Sequence, residues 1–545
     1  MATRPWEKID YLSWAGALLL AACGGASPPV DKNADATGGA TVDLGCDRAA
    51  YPSALWAQCE AQNFAKVLEA PQEEASDPAF VLRWIEQSTA NAADYLARDI
   101  ADPSWLLVSS PPLSQLIAAL GDPTSIATTI RASVAQIQND PSSALSVSLD
   151  TPLTPLCASW SLQCSGDPYR YPGIDPFYGT AGEVMPVVFY DSGCARLSGR
   201  VWRPLNIPAG AKLPGVVIDN GSIEAPETLY WWAAQLLVRN GYVVLTFDPR
   251  GQGRSDLETP TGQQGSNENV SVFWTGLVDA IDFFRSTPER PYPNNQTCAG
   301  TYPTTVAAYN PYYADVDPDR LGIAGHSAGA EGVSVVQGYG APGADPWPGK
   351  LDKDNPVKVA VAWDGLVAPD GEGLGGAGGN LPLPSGALGS APKFGIRVPA
   401  MDEDSEYGLA PVPFTQPPDP EAHKAAYAQW KAAGVPVFAF TVRGSTHYEW
   451  SLLPTFPATS WCPEVNNGEC AGGFGNAMAQ HYTLAWFDRW LKKPGEMGYA
   501  DADARLLDDD GANGRAKMSW HFHSARDFPK RDGTVAHCEN IRAGC

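Results

Sequence analysis

Strand-like and helix-like segments alternate from about residue 187 to 491, and this alternation predicts an α/β fold. The expected form is a mostly parallel central sheet with helices on both faces, plus an N-terminal helical module. Two observations support it: the strand candidates are short apolar runs bounded by Gly, Pro, Asn and Asp, and each is followed by a stretch of helical spacing. Right-handed crossovers would bring the loops at the strands' carboxyl ends to one edge, where chemistry should collect.

The 545 residues include 61 acidic and 37 basic ones, for a formal charge of -24. That surplus argues against wrapping nucleic acid or lying on anionic lipid through a basic face, because both need clustered Lys and Arg. Residues 1–22 read as an export signal, with Arg4 and Lys8 in the head, an apolar run from Tyr11 to Leu20, and small residues ahead of Cys23. The run of about ten residues is too short for a bilayer, which needs about 20. Leu20-Ala21-Ala22-Cys23 resembles the lipobox of bacterial lipoproteins. The resemblance implies lipidation of Cys23, membrane attachment through it, and a periplasmic or cell-surface location; plain secretion with an ordinary thiol is the alternative. Residues 23–45, with Gly24-Gly25, Pro28-Pro29 and Gly38-Gly39, read as a flexible tether.

Setting Cys23 aside leaves an even number of the 11 cysteines, as an oxidising compartment leads one to expect. Short spacings suggest Cys46 with Cys59, Cys157 with Cys164, Cys462 with Cys470 and Cys538 with Cys545, leaving Cys194 for Cys298. There is no C-x-x-C, and His521 and His523 lack a partner cluster, so no metal site is expected.

Residues 46–170 form the helical module, with helical spacing in Phe80 to Ile85 and Ile117 to Leu120. The catalytic domain is expected over 171–500 and a C-terminal extension over 501–545. Val187 to Tyr190 and Leu197 to Trp202 read as a hairpin. Buried strands follow at Gly215 to Ile218, Tyr242 to Phe247, Leu321 to Ala324, Val357 to Trp363 and Val435 to Val442. Helices are expected at Thr228 to Arg239, Val270 to Arg285, Gly329 to Gln337, Glu421 to Ala433 and Asn476 to Leu491. Residues 288–319 and 370–395 exceed ordinary connections and are lid or specificity-loop candidates.

The sharpest signal is Gly325-His326-Ser327-Ala328-Gly329, a G-x-S-x-G directly after one strand and before a helix. A serine on such a tight turn projects from the sheet edge, and the helix that begins beside it favours developing negative charge. Here the chain resembles the α/β-hydrolase superfamily over roughly residues 180–495. Phe247-Asp248-Pro249-Arg250-Gly251-Gln252-Gly253-Arg254-Ser255 looks like that superfamily's turn after its fourth strand, and Ile218-Asp219-Asn220-Gly221-Ser222 stands where its His-Gly loop usually lies, with Asn220 replacing the histidine.

A neutral serine needs a base. His447 follows a strong apolar strand through a short Gly-containing turn and lies downstream of Ser327, in the order Ser, acid, His. His326 occupies the variable position and reads as a packing or hydrogen-bonding residue. His481 reads as a satisfied helical histidine, and His423, His521, His523 and His537 as solvated. The resemblance places the acid after the strand before the last, expected over Ile396 to Met401. Glu406 fits best and Asp404 next; Asp364, after the strand that ends at Trp363 and used by some relatives, Asp402 and Glu403 stay open, and the other carboxylates are expected in a solvated acidic turn. The N–H groups of Ala328 and Ser222 are the oxyanion candidates.

Tyr448 and Trp450 are candidate substrate contacts. A serine nucleophile points to acyl transfer, so the expected reaction is hydrolysis of a small-molecule or polymeric carboxylic ester through an acyl-serine, with no cofactor. A serine peptidase or amidase on the same scaffold, and a non-catalytic surface lipoprotein, are the alternatives.

Overall fold

The computed structural model describes residues 45–68, 177, 180–221, 227–253, 255, 256, 258–263, 265, 269–369, 392–408, 412–447, 449–451 and 475–545. The signal, Cys23, the tether, most of the helical module, the two remaining cysteine pairs and most of the 370–395 loop lie outside these residues.

Ten strands form one sheet in the order β1-β2-β4-β3-β5-β6-β7-β8-β9-β10. They are β1 Gly182–Tyr190, β2 Arg196–Pro204, β3 Leu213–Asp219, β4 Val243–Phe247, β5 Val316–His326, β6 Val357–Trp363, β7 Ala400–Ser405, β8 Val437–Val442, β9 Ala525–Pro529 and β10 Val535–Cys538. The helices are α1 Ala54–Leu68, α2 Trp231–Arg239, α3 Val272–Arg285, α4 Pro293–Thr297, α5 Ala328–Gly338, α6 Ala425–Ala432, α7 Gly475–Leu491 and α8 Ala502–Leu506.

Strands β3 to β8 run parallel, and β4, Val-Val-Leu-Thr-Phe, is buried along its whole length, as a strand covered on both faces must be. Both margins are antiparallel: β1 and β2 on one side, β9 and β10 on the other. The sheet is therefore mixed rather than uniformly parallel, and residues beyond 500 extend it. One face packs against α2 and α7 through Trp231, Trp232, Trp363 and Trp486; the other packs against α3, α5 and α6 through Phe283, Val333 and Trp430.

The register sets the carboxyl edge. Asp219 pairs with Gly325, His326 with Trp363, Trp363 with Glu403, and Ser405 with Val442. Chain leaving β3, β5, β6 and β8 thus emerges at neighbouring points. Three disulfides, Cys46–Cys59, Cys194–Cys298 and Cys538–Cys545, pair as expected from spacing. Such bonds persist in oxidising compartments. No described helix is long and apolar enough to cross a membrane.

The site end of α5 lies against β3 with no room for a side chain at the contact. A Cβ on Gly329 would stand 2.3 Å from the Asn220 carbonyl oxygen and 2.8 Å from that of Asp219, both backbone atoms. Gly329→Ala is expected to destabilise the fold by about 1–3 kcal/mol through overpacking, read as a lower thermal unfolding midpoint.

Candidate active site

Ser327 sits between the last residue of β5 and the first of α5 with φ 56 and ψ -123, a conformation that costs a non-glycine residue energy and persists only where the surroundings impose it. Its N–H donates to the Trp363 carbonyl at 3.0 Å, and its own carbonyl accepts the N–H groups of Ala330 and Glu331 at 2.9 and 3.1 Å, so β6 and α5 hold the bend from both sides. The residue is half-buried. Ala328 opens α5 and packs against Val272 and Phe273 of α3. The first amides of a helix have no intrahelical acceptor, which leaves the Ala328 N–H suited to an anionic oxygen.

The second strained residue is Asp364, φ 55, one step past β6. Its N–H donates to the Glu403 carbonyl at 2.8 Å; Oδ1 accepts the Ser405 N–H at 2.7 Å, and Oδ2 accepts the Ser405 hydroxyl at 2.8 Å. Oδ2 also meets Nδ1 of His447 in a short hydrogen bond. Burial pushes the Asp364 carboxyl up, but the bond and charge of His447 together with the Ser405 donors hold it below the usual carboxylate range. His447, almost wholly buried, is further fixed by its N–H on the Gly408 carbonyl at 2.9 Å. Its ring lies 4.6 Å, centroid to centroid, from that of His326, the residue before Ser327.

The carboxylate on His447 is therefore Asp364, and Glu406 and Asp404 are placed elsewhere. Glu406 is fully buried against the turn that carries His447. Its Oε2 accepts the Gly444 N–H and Asn63 Nδ2, both at 2.6 Å; Oε1 accepts the Ser519 hydroxyl; and its N–H donates to Ser445 Oγ at 3.0 Å. Asn63 belongs to α1, and its Oδ1 accepts Nε of Arg443 at 2.7 Å. Glu406 thus ties α1 and the C-terminal extension to the turn that carries His447.

Asp402, Glu403 and Asp404 are not in a solvated turn: β7 continues through them, and all three are buried. Burial raises Asp402 and Asp404 well above the ordinary carboxylate range, with the neighbouring Asp364 charge adding to it. Glu403 is raised to about 8 by burial, against bonds from Trp450 Nε1 at 2.7 Å and Thr483 Oγ1 at 2.8 Å.

That bond also corrects Trp450 as a substrate contact. The ring is fully buried, facing β7, and its carbonyl accepts Nε1 of Trp232 at 2.8 Å. Ser222 and Tyr448 lie outside the described residues. Asn220 is buried and donates to Asp248 at 3.0 Å, while Gly221 is held on both sides, its N–H on Tyr230 Oη at 2.9 Å and its carbonyl on Gln252 Nε2 at 2.8 Å. His423 and His521 are buried rather than solvated: His423 stacks on Phe522 at 3.7 Å, and His521 pairs with Glu60 of α1 at 2.5 Å. His481 of α7 meets the carbonyl of Arg505 in α8 at 3.1 Å. Among the described residues no His/Cys/Asp/Glu group is arranged to hold a metal.

No family model and no curated protein matches the chain. Among solved structures it is similar to a hypothetical protein of Pseudomonas aeruginosa (21% identity, 34% of this chain and 44% of that one, TM-score 0.23). It is also similar to an esterase of the planctomycete Thermogutta terrifontis (15% identity, 49% and 84%, TM-score 0.34) and to a ferulic acid esterase of Streptomyces cinnamoneus (16%, 58% and 94%, TM-score 0.34). The match spans less than half of the Pseudomonas protein's length. Likenesses this distant say nothing of substrate.

The raised carboxyls make stability depend on pH. Glu403 at about 8, Asp279 at about 7 and Glu331 at about 7 hold protons in the folded chain that the unfolded chain releases near the ordinary values of 4.5 and 3.8. Their contribution is fully present below the unfolded values and lost as pH rises through the folded ones. His326 and His423, lowered by burial from 6.5 to about 3 and about 4, act in the opposite sense but only below 6.5. The thermal midpoint should therefore fall between about pH 6.5 and about pH 8, and fall less in Glu403→Gln, whose amide mimics the protonated acid. Equal slopes for the two proteins would contradict this assignment.

Proposed function

We propose that the protein is a serine hydrolase that cleaves carboxylic esters through an acyl-serine, with Ser327 as nucleophile, His447 as base and Asp364 as the acid that orients it. The observation that carries this reading is the hydrogen bond between Asp364 and His447 Nδ1, beside a serine held in a left-handed bend on the adjacent strand.

The chemistry follows from these placements. With Nδ1–H given to Asp364, the lone pair of His447 is on Nε2, the nitrogen that would take the Ser327 hydroxyl proton. The serine oxygen attacks the ester carbonyl, whose π electrons move onto oxygen; the N–H of Ala328 and one from the loop after β3 stabilise that charge. When the tetrahedral centre collapses, the C–O bond to the alcohol breaks and the imidazolium protonates the leaving oxygen. A water gives its proton to the same nitrogen, attacks the acyl-serine, and the carboxylic acid departs with Ser327 restored. Asp364 stays ionised throughout and stabilises the imidazolium, a role suited to a carboxyl held below its ordinary range.

We also propose export, with attachment to a membrane through lipid on Cys23. The three disulfides support the oxidising compartment.

Two measurements test the reading. Ser327→Ala should abolish turnover of a p-nitrophenyl acyl ester and covalent labelling by a fluorophosphonate while the thermal midpoint is retained; labelling of the variant would overturn it. A parallel peptide substrate tells esterase from amidase. Asp364→Asn should lower kcat by about 10⁴-fold, because the amide favours the wrong imidazole tautomer. Glu406→Gln keeps an acceptor for Gly444 and should lower kcat far less; the reverse ranking would return the acid to Glu406.

A further inference from the structure

The variable residue of the elbow is drawn into a line of buried hydrogen bonds that crosses beneath the nucleophile. His326 Nε2 lies 2.7 Å from the backbone carbonyl oxygen of His447. A carbonyl oxygen only accepts, so Nε2 carries the proton and Nδ1 is a bare lone pair. Tyr230 Oη, 2.9 Å from that Nδ1, must therefore donate to it, and the same phenol oxygen accepts the Gly221 N–H at 2.9 Å. Every direction in the line is forced: Gly221 N–H to Tyr230, Tyr230 O–H to His326, His326 N–H to the carbonyl of His447.

The line joins two parts of the site that share no strand. At one end is the peptide that precedes residue 222, whose loop is proposed to supply an oxyanion donor. At the other is the base, which the carbonyl bond anchors at a third point besides Asp364 and Gly408. The three groups are closely packed: a Cβ on Gly221 would stand 2.9 Å from Tyr230 Oη and 3.2 Å from His326 Nδ1. Tyr230 and His326 are buried, and burial disfavours the charged form of each, raising the phenol and lowering the imidazole to about 3, so neither ionises at neutral pH.

We propose that Tyr230 and His326 are positioning residues that lock the base loop and the oxyanion loop into one unit across Ser327. This rests on the hydrolase reading above, and its consequence is a kinetic signature. Residues acting through one chain of bonds are not additive: breaking the chain once removes what breaking it twice removes.

The test uses the full chain with Tyr230→Phe, His326→Leu, the double variant and His326→Gln, assayed on a p-nitrophenyl acyl ester with kcat and KM separated and thermal midpoints recorded. Each single variant is expected to lower kcat by about 10²-fold with KM little changed, as small misplacements of catalytic groups do. The double variant should be no worse than the poorer single one. His326→Gln, whose amide offers a donor and an acceptor, should recover most of the loss. Wild-type kcat in either single variant, or multiplicative losses in the double, would overturn the proposal. A second readout is independent of turnover: side-chain ¹⁵N shifts should show His326 as the neutral Nε2–H tautomer at neutral pH, and an Nδ1–H tautomer or an imidazolium there would overturn it whatever the activity. Failure of the hydrolase reading is seen separately, in fluorophosphonate labelling at Ser327.

Discussion

The hydrogen bond between Asp364 and His447 depends on how far each strand runs before it turns. β6 stops at Trp363, level with Glu403 of β7, while β7 runs on to Ser405 and β8 to Val442. The longer neighbour provides the donors, the Ser405 N–H and hydroxyl, that turn the Asp364 carboxylate toward the base. The backbone at Asp364 is forced to positive φ to make that turn, as it is at Ser327 one strand away. Left-handed non-glycine backbone costs energy of order 1–3 kcal/mol per residue, and the surrounding bonds must over-determine it.

The scaffold, and the places of Ser327 between β5 and α5 and of His447 after β8, were legible in the sequence. G-x-S-x-G between an apolar strand and a helix is a local pattern with a local mechanism, and it marks Ser327 without knowledge of the rest of the chain. His447 is nearly as local, because it follows the last parallel strand through a short turn. The acid is not local. Met401-Asp402-Glu403-Asp404-Ser405 looks like the end of a strand dissolving into a solvated turn, since three consecutive carboxyls are rarely buried. Here they are buried, which disfavours their charged forms, so the strand continues, and the carboxylate that meets His447 is Asp364, one strand earlier. The same hidden continuation explains Trp450, which meets Glu403 in the interior rather than a substrate. His521 was misjudged for another reason: its partner, Glu60 of α1, lies hundreds of residues away, and no spacing rule reaches that far.

Around the site, polar groups that would ordinarily seek water are paired inward. Asn220 gives its amide to Asp248 and so joins the turn after β4 to the loop after β3. Gln252 and Tyr230 grip the two faces of the Gly221 peptide. The bonds that are made hold these loops together, while Asn220 Oδ1 and Gln252 Oε1 are buried with no hydrogen-bond partner among the described residues.

Glu406 gathers donors from three separate stretches of the polypeptide, at Asn63, Gly444 and Ser519. A chain emerging during synthesis presents the first of these long before the last. The turn bearing the imidazole reaches its finished shape only when the final stretch has come home, and a product truncated before residue 519 would keep its strands of the parallel sheet but leave this carboxylate short of a ligand.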